Sequence, residues 1–312
     1  MHRQASRFPP LEKGGQGGFS RYFPKRHPTN PPPFPFCKGG GHGAERVPRA
    51  SLCGGKELSA SDPSSCPAPS ATHTPRVFLH GWGLHGGIWL ETRAALPGLA
   101  PDLPGYGAEP AVTPYSAETL ADALAEQLAG PVQLIGWSLG GMVALALAAR
   151  HPGKVAKLVL VGASPAFVNR PDWDRGLAPE VLAGFADSLH LDYRGTLLRF
   201  LSLQARGGEA AREVIGRLRE SVFQRGEPDV ATLAAGLGLL RDVDLRELAP
   251  RVVCPTLVVH GAYDTLCPAD AGRWLSERIP GARLALHERA AHAPFLSNPT
   301  WFAEQVGAFL HE

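Results

Sequence analysis

The chain has 312 residues, of which 44% are hydrophobic, and a formal net charge of +2. That length and composition suffice for a globular protein with a sizeable buried core. The small net charge gives no reason to expect a nucleic-acid partner, and no apolar run reaches the roughly 18 residues that a membrane-spanning helix needs. The five cysteines include no CxxC pair. Neither a disulfide framework nor a metal site is therefore indicated, and we expect reduced thiols.

Residues 1 to 75 differ in kind from the rest of the chain. They hold 13 of the 30 prolines and three of the five cysteines, in runs such as NPPPFPF and KGGGHG. With many breakers and little apolar periodicity, they predict a disordered extension, and the same composition would suit a translated upstream region outside the native protein. The first thirty residues lack the apolar core of a secretory signal, so we expect a cytoplasmic protein.

From residue 76 onward, short apolar runs alternate with helical patterns. Five runs predict buried strands: RVFLHG, PVQLIGW, VAKLVLVGA, PTLVVHGAYD and, near the C-terminus, ARLALHE. Between the first two, Ser116 and Thr119 form a capping pattern at the start of a predicted helix. Strands that alternate with helices predict an α/β fold, with a parallel sheet covered on both faces.

The segment from about 165 to 250 interrupts this alternation. It has helical spacing throughout and holds no strand candidate for about sixty residues. We predict that this helical insertion forms a cap over the mouth of the sheet. After the last strand, PTWFAEQVGAFLHE predicts a closing helix.

The pentapeptide Gly-Trp-Ser-Leu-Gly, residues 136 to 140, lies between the second strand and a helical pattern. Its glycines leave room for a sharp turn that lifts Ser138 above the sheet and points a helix N-terminus at developing negative charge. A serine hydroxyl needs such surroundings, since it is a poor nucleophile by itself. We predict that Ser138 is a nucleophile; the alternative is a serine that merely caps a helix.

An acid and a histidine are expected to follow the serine in that order. Asp264 comes just beyond the end of a predicted strand, where side chains project toward a site at the carboxyl edge of the sheet. Asp242 and Asp270 are the alternatives, and we interpret both as surface carboxylates.

The base is predicted to be His292. It lies in a loop after the last predicted strand, between small residues, which suits an imidazole that projects into a pocket. His287 lies within that strand, and His311 lies at the end of the chain. In the loop HGWG, residues 80 to 83, a backbone N–H can donate to an oxyanion, with a second donor from Leu139. We interpret His80 as a structural residue that ties this loop.

These residues resemble the α/β-hydrolase superfamily from about residue 76 to 312. Within it the chain is similar to the esterases of biotin biosynthesis that act on pimeloyl-acyl-carrier-protein methyl ester. The matching stretches include LHGWGL, GWSLGGMVA, PEVLAGF, RFLSLQ and AAHAPFLSNP. PEVLAGF and RFLSLQ are the more specific, because they lie in the cap, which usually varies between members of the superfamily.

The resemblance implies an α/β-hydrolase fold whose helical cap precedes the strand of the catalytic acid. It also implies a serine carboxylesterase that needs no cofactor and releases methanol from its substrate. By position, Ser138, Asp264 and His292 match the nucleophile, acid and base. The residues implied to line the oxyanion and acyl side are Trp82, Leu139, Phe200, Leu201, Ser202, Leu203 and Gln204. The implied partners are an acyl carrier protein and a small ester, and we expect a monomer.

Six arginines lie between residues 194 and 219, against two acidic residues. Acyl carrier proteins are acidic and deliver a phosphate-bearing arm that arginine can hold in fork geometry. A solvated helical face is the alternative. In the resembled family cap arginines contact the carrier, and Gly195 and Gly216 here replace two of them. The predicted carrier contacts are Arg199 and Arg212 at matching positions, with the neighbouring Arg194 and Arg217 as substitutes.

Two other functions remain open. One is a broad-specificity α/β-hydrolase that acts on short-chain esters or carbon-carbon bonds, and the other is a ligand-binding protein of this fold without activity. The chain also departs from the family in one segment. Only twelve residues separate Trp89 from Asp102, where the family has the end of a helix and a full strand, so we expect one of these to be shortened.

Overall fold

A computed structural model describes residues 74 to 312, and the extension predicted over residues 1 to 75 lies almost entirely outside this part. Five parallel strands form a sheet in the order β1-β2-β3-β4-β5. Their bounds are Arg76–Leu79, Val132–Trp137, Val155–Val161, Thr256–Gly261 and Arg283–His287. The five predicted strands are thereby confirmed. Cys254 and Cys267 are buried free thiols, and the other three cysteines lie outside the described residues.

Ten α-helices lie among residues 74 to 312. They are α1 Leu90–Ala95, α2 Ala117–Gln127, α3 Leu139–Arg150, α4 Pro179–Leu189, α5 Tyr193–Gln204, α6 Ala211–Val222, α7 Val230–Asp242, α8 Ala269–Arg278, α9 Pro294–Ser297 and α10 Pro299–His311. Short 3-10 helices span Gly86–Trp89, Pro152–Lys154 and Ala249–Arg251. We call α4 to α7, which lie between β3 and β4, the helical insertion. Within this part of the chain, no helix combines the length and apolar character needed to cross a membrane.

Helices cover both faces of the sheet, as the alternation of side chains along β2 shows. Gln133 points to one face, where its side-chain amide donates to the carbonyl of Leu310 in α10 at 3.0 Å. Gly136 points to the other face, where α3 passes so close that an added Cβ would lie 2.8 Å from the Cβ of Ala144. Because both faces are covered, all six residues of β2 are buried.

The predicted capping pattern of α2 is also confirmed. The backbone N–H of Thr119 donates to Oγ of Ser116 at 3.2 Å, and the backbone N–H of Ser116 donates to Oγ1 of Thr119 at 3.1 Å. These reciprocal bonds satisfy two backbone donors at the start of the helix. They fix where the connection between β1 and β2 becomes helical.

Both the helix and the strand expected between Trp89 and Asp102 are short. Helix α1 has six residues, and the strand is reduced to one isolated bridge in which Leu99 pairs with β1. The backbone N–H of Phe78 donates to the carbonyl of Leu99, and the N–H of Leu99 donates to that of Arg76, both at 2.8 Å. Strand β1 therefore has one full neighbour, β2, and a single bridge on its other side.

His80 ties the loop after β1 to the segment beyond this bridge. Its ring is fully buried, and Nε2 accepts the backbone N–H of Leu103 at 2.9 Å. Nδ1 must then carry the proton, which it donates to the carbonyl of Gly81 at 2.9 Å. Both bonds require a neutral imidazole, and burial lowers the pKa of His80 to about 4. The interpretation of His80 as a structural residue is confirmed.

We expect His80 to make the free energy of unfolding depend on pH. Its pKa is about 4 in the folded protein and about 6.5 in an unfolded chain. Between these values the unfolded state binds more protons, so stability falls as the pH falls. Relative to a His80→Gln variant, the wild type should lose about 3 kcal/mol between about pH 7 and about pH 4. Urea unfolding of both proteins across this range measures the loss, and a difference independent of pH would contradict the expectation.

A second expectation concerns the contact between β2 and α3. The Cβ added by Gly136→Ala would lie 2.8 Å from the Cβ of Ala144 and closer still to the carbonyl oxygen of Gly140. Such overpacking should destabilise the protein by about 1–3 kcal/mol. Gly130→Ala is the matched control, since no atom lies within 4 Å of its added Cβ, and it should change stability by less than about 0.5 kcal/mol. Thermal unfolding compares the two, and equal effects would refute the packing argument.

Candidate active site

Ser138 occupies the turn between β2 and α3. Its backbone has φ 56° and ψ −119°, a conformation that a residue with a side chain adopts only when its surroundings impose it. The surroundings are tight, because a Cβ on Gly140 would lie 2.6 Å from the carbonyl oxygen of Leu79. The backbone N–H of Ser138 donates to the carbonyl of Val161 at the end of β3, at 3.0 Å. The serine thus lies at the carboxyl edge of the sheet and at the N-terminus of α3.

His292 and Asp264 form a buried pair at the same edge. Nδ1 of His292 donates to Oδ2 of Asp264 at 2.8 Å, and both side chains are inaccessible to solvent. With the proton on Nδ1, Nε2 carries the free lone pair. Among residues 74 to 312 it has no hydrogen-bond partner. An imidazole in this state can accept a proton from a hydroxyl group.

Three segments, the ends of β2 and β3 and the loop of His292, contact one another beside Ser138, although no hydrogen bond joins Oγ of Ser138 to Nε2 of His292 within the described residues. The N–H of Ser138 is bonded to Val161, and the next residue, Gly162, packs on His292, so that an added Cβ would lie 3.2 Å from Nδ1. From the other side, the indole N–H of Trp137 donates to the carbonyl of His292 at 2.9 Å. The ends of β2 and β3 therefore meet the loop of His292.

Asp264 is surrounded by donors. Oδ1 accepts the backbone N–H groups of Leu266 and Cys267 at 3.0 and 2.9 Å, while Nε2 of His260 lies 3.4 Å from Oδ2. Burial by itself would raise the pKa of Asp264, but the attraction of a protonated His292 and the hydrogen bonds of His260 and His292 outweigh it. The pKa of Asp264 therefore lies well below its usual range. The carboxylate stays ionised and can stabilise a protonated His292.

The alternative acids lie elsewhere, on the surface. Asp242 is the last residue of α7 and pairs with Arg241 at 2.7 Å. Asp270 lies in the first turn of α8, 3.6 Å from Arg273. Within the described residues neither pairs with His292, so Asp264 is the acid that the fold pairs with this histidine.

Two backbone donors flank Ser138. Leu139 begins α3, and Trp82 lies in the loop after β1, where a Cβ on Gly81 would lie 3.3 Å from the Cβ of Ser138. The backbone hydrogen bonds within residues 74 to 312 include none donated by Trp82 or Leu139. Both N–H groups are therefore free to donate to an oxygen of a bound ester as it becomes negatively charged.

Helix α5 contacts both the Trp82 loop and the His292 loop. Phe200 packs edge-on against Trp82 with ring centroids 4.8 Å apart, and the indole of Trp82 donates to the carbonyl of Leu233 in α7 at 2.9 Å. At the last turn of α5, the carbonyl of Gln204 accepts the N–H of His292 at 3.0 Å. Of the five predicted acyl-chain residues on α5, the buried ones are Phe200, Leu201 and Gln204, and the half-buried ones are Ser202 and Leu203.

Two of the predicted carrier-binding arginines are engaged by carboxylates. Arg217 lies 2.7 Å from both Glu91 and Glu213. Arg194 pairs with Glu227. Because these carboxylates neutralise Arg194 and Arg217, the two side chains have less positive charge to offer an acidic carrier than the sequence predicted.

The other arginines of the α5–α6 hairpin, residues 193 to 222, are freer. Arg199 lies 3.8 Å from the nearest carboxylate. Arg212 is exposed and, within residues 74 to 312, forms no ion pair with a carboxylate; the same holds for Arg206 and Arg219, which were not among the predicted contacts. Within the described residues, Arg199 donates to Oγ1 of Thr196 at 2.9 Å and Arg219 donates to Oγ of Ser202 at 3.3 Å, whereas the side chains of Arg206 and Arg212 have no hydrogen-bond partner. Charge counting alone could not separate paired from unpaired arginines.

Residues 77 to 305 match the alpha/beta hydrolase family. The chain is 43% identical over 240 residues to the pimeloyl-[acyl-carrier protein] methyl ester esterase of Chromobacterium violaceum, covering 75% of this chain and 93% of the relative. The esterase of that name from Aromatoleum aromaticum is 45% identical over 232 residues, covering 72% and 92%. An esterase structure from Exiguobacterium antarcticum superimposes with a TM-score of 0.69 at 27% identity, covering 77% of this chain and 92% of that one. The chain therefore belongs to the alpha/beta hydrolase family.

Proposed function

We propose that the chain is a serine esterase that hydrolyses the methyl ester of pimeloyl-acyl carrier protein, giving the free carboxylate and methanol. The observation that carries the chemistry is the buried Asp264 and His292 pair, whose Nε2 is unpartnered at the edge where Ser138 turns into α3. The substrate is supported by relatives whose names state this activity and which align over more than nine tenths of their length.

In the first half of the reaction, Nε2 of His292 takes the proton of Ser138 as Oγ attacks the ester carbonyl carbon. Asp264 stabilises the imidazolium that forms, and the N–H groups of Trp82 and Leu139 donate to the oxyanion. The imidazolium then protonates the departing methoxide. Methanol leaves, and the acyl group remains bound to Oγ.

In the second half, water attacks the acyl-serine while Nε2 of His292 accepts one of its protons. The tetrahedral intermediate collapses, and the proton on His292 passes to Oγ of Ser138. The pimeloyl group leaves as a carboxylic acid, which releases the second proton of the water to solvent and becomes the carboxylate. Ser138 and His292 return to their starting protonation states at the end of the cycle, and no electrons are transferred. The proposed reaction therefore needs no cofactor.

The acyl carrier protein is the proposed partner, and the α5–α6 hairpin is its proposed docking surface. Arg206, Arg212 and Arg219 are exposed there without a carboxylate partner in the described part of the chain, and Arg199 is only loosely paired. An acidic carrier is drawn to such a surface, and arginine can hold its phosphate. A monomeric state and a cytoplasmic location stay predictions from the sequence.

A second function, hydrolysis of short-chain esters without a carrier, is kept because the structure from Exiguobacterium antarcticum is described only as an esterase. It differs from the first in the size of the substrate. The two are distinguished by comparing kcat/KM on pimeloyl methyl ester carried by its acyl carrier protein with kcat/KM on p-nitrophenyl acetate. Cleavage of the small ester alone would favour the second function. Rescue of a biotin-requiring strain that lacks the esterase would support the first.

Ser138→Ala should lower kcat on both substrates by at least about 10³-fold, because no other group supplies the nucleophile. The wild type should react with a fluorophosphonate at Ser138, and the variant should not. Serine already places a Cβ in this backbone conformation and alanine adds no atom to it, so circular dichroism should show an unchanged fold. Undiminished hydrolysis by the variant would contradict the assignment of Ser138 as the nucleophile. A wild type that cleaves no ester and does not react with the fluorophosphonate would indicate a ligand-binding protein.

The docking surface predicts a charge-reversal phenotype. In the double variant Arg206→Glu and Arg212→Glu, KM for the carrier-linked ester should rise about tenfold at low salt, while KM for p-nitrophenyl acetate stays within about twofold. The matched control reverses Arg251 and Arg278, which lie outside the helical insertion, and should leave both values unchanged. Equal KM changes in the two double variants would contradict a carrier surface on the hairpin.

A further inference from the structure

Trp137 is a residue that neither the G-x-S-x-G pattern nor the proposed mechanism requires. The pattern leaves its position open, yet a tryptophan lies there, fully buried at the end of β2. Its indole N–H donates to the carbonyl of His292 at 2.9 Å. The residue before the proposed nucleophile is thus bonded to the backbone of the proposed base.

Both peptide groups of His292 are held by other parts of the fold. Its carbonyl accepts from Trp137, and its N–H donates to the carbonyl of Gln204 at 3.0 Å. These two bonds fix the backbone from which the imidazole projects. The bond from Nδ1 to Asp264, at 2.8 Å, then fixes the rotation of the ring. The position of Nε2 follows from all three.

Trp137 is itself held rigidly. Its ring meets Phe295 edge-on at 5.0 Å, and its centroid lies 5.6 Å from that of the His292 ring. On the side of the loop after β1, a Cβ on Gly81 would lie 3.1 Å from the Cε3 atom of Trp137. The indole therefore lies between the loop that carries the oxyanion donor and the loop that carries the base.

We propose that Trp137 is a positioning residue for His292, whose backbone it holds in a place from which Nε2 can reach the Ser138 hydroxyl during proton transfer. This inference rests on the proposed function. Proton transfer needs hydrogen-bond reach between these atoms, and a displacement of about 1 Å can cost about 100-fold in rate. Removing the indole N–H also leaves the buried carbonyl of His292 without its donor, which frees the loop to shift.

The test is Trp137→Phe, which keeps an aromatic ring and removes the N–H. On p-nitrophenyl acetate, kcat per active site should fall about tenfold or more, while KM changes by less than about twofold because the substrate contacts are kept. The rate of fluorophosphonate labelling should fall in parallel. Counting active sites with the same label, at completion, corrects for any misfolded protein.

Trp173→Phe is the matched control. It removes the same kind of bond from another buried tryptophan, whose indole N–H donates to the carbonyl of Ala166 at 3.0 Å. Both variants should lower Tm by roughly 2–4 °C, but Trp173→Phe should keep kcat within about twofold. A wild-type kcat in Trp137→Phe, beside a similar fall in Tm, would overturn the proposal.

If Trp137→Phe does not fold, 3-benzothienylalanine can replace Trp137, because it keeps the bicyclic shape and has sulfur in place of the N–H. The same fall in kcat is expected, and an unchanged kcat overturns the proposal. Failure of the proposed substrate is distinguishable, since a wild type that cleaves p-nitrophenyl acetate but not the carrier-linked ester leaves this test intact. A wild type without any esterase activity would overturn the proposed function and this inference together.

Discussion

A buried carboxylate beside a buried imidazole is the interaction on which the candidate site depends. Asp264 has no solvent to stabilise its charge, so protein donors must do so. Two of these donors are backbone N–H groups of its own loop, and a third is Nδ1 of His292. The same bond that keeps the carboxylate charged also fixes the tautomer of the imidazole. One hydrogen bond therefore sets both the charge of Asp264 and the tautomer that leaves the Nε2 lone pair of His292 free.

The parallel sheet explains why these groups meet. The carboxyl ends of β2, β3 and β4 lie side by side, so Ser138, Gly162 and the Asp264 loop emerge at one edge, and the chain after β5 brings His292 to them. The helical insertion closes the arrangement from outside, since α5 touches the Trp82 ring and the His292 peptide. Helix α5 is therefore in direct contact with both the Trp82 loop and the loop of His292.

Sequence patterns predicted what depends on local rules. Apolar runs predicted all five strands, and the glycines around Ser138 predicted a sharp turn, because both follow from periodicity and backbone sterics. The bonds of Trp137 and His260 were not predicted, since they join side chains to groups that only the tertiary fold brings near. For the same reason, counting charged residues could not show that Arg217 is paired with two carboxylates while other arginines of the hairpin are not.

The single bridge at Leu99 constrains the length of the segment that contains it. Strand β1 is held there by main-chain groups, and Leu99 is 56% exposed. We expect substitutions other than proline to be tolerated at this position, because the bridge uses only the backbone N–H and C=O of Leu99. Insertions and deletions are not, since the segment must still deliver Leu103 to the ring of His80. In this chain, the residue type at position 99 is therefore less constrained than the number of residues between Leu99 and Leu103.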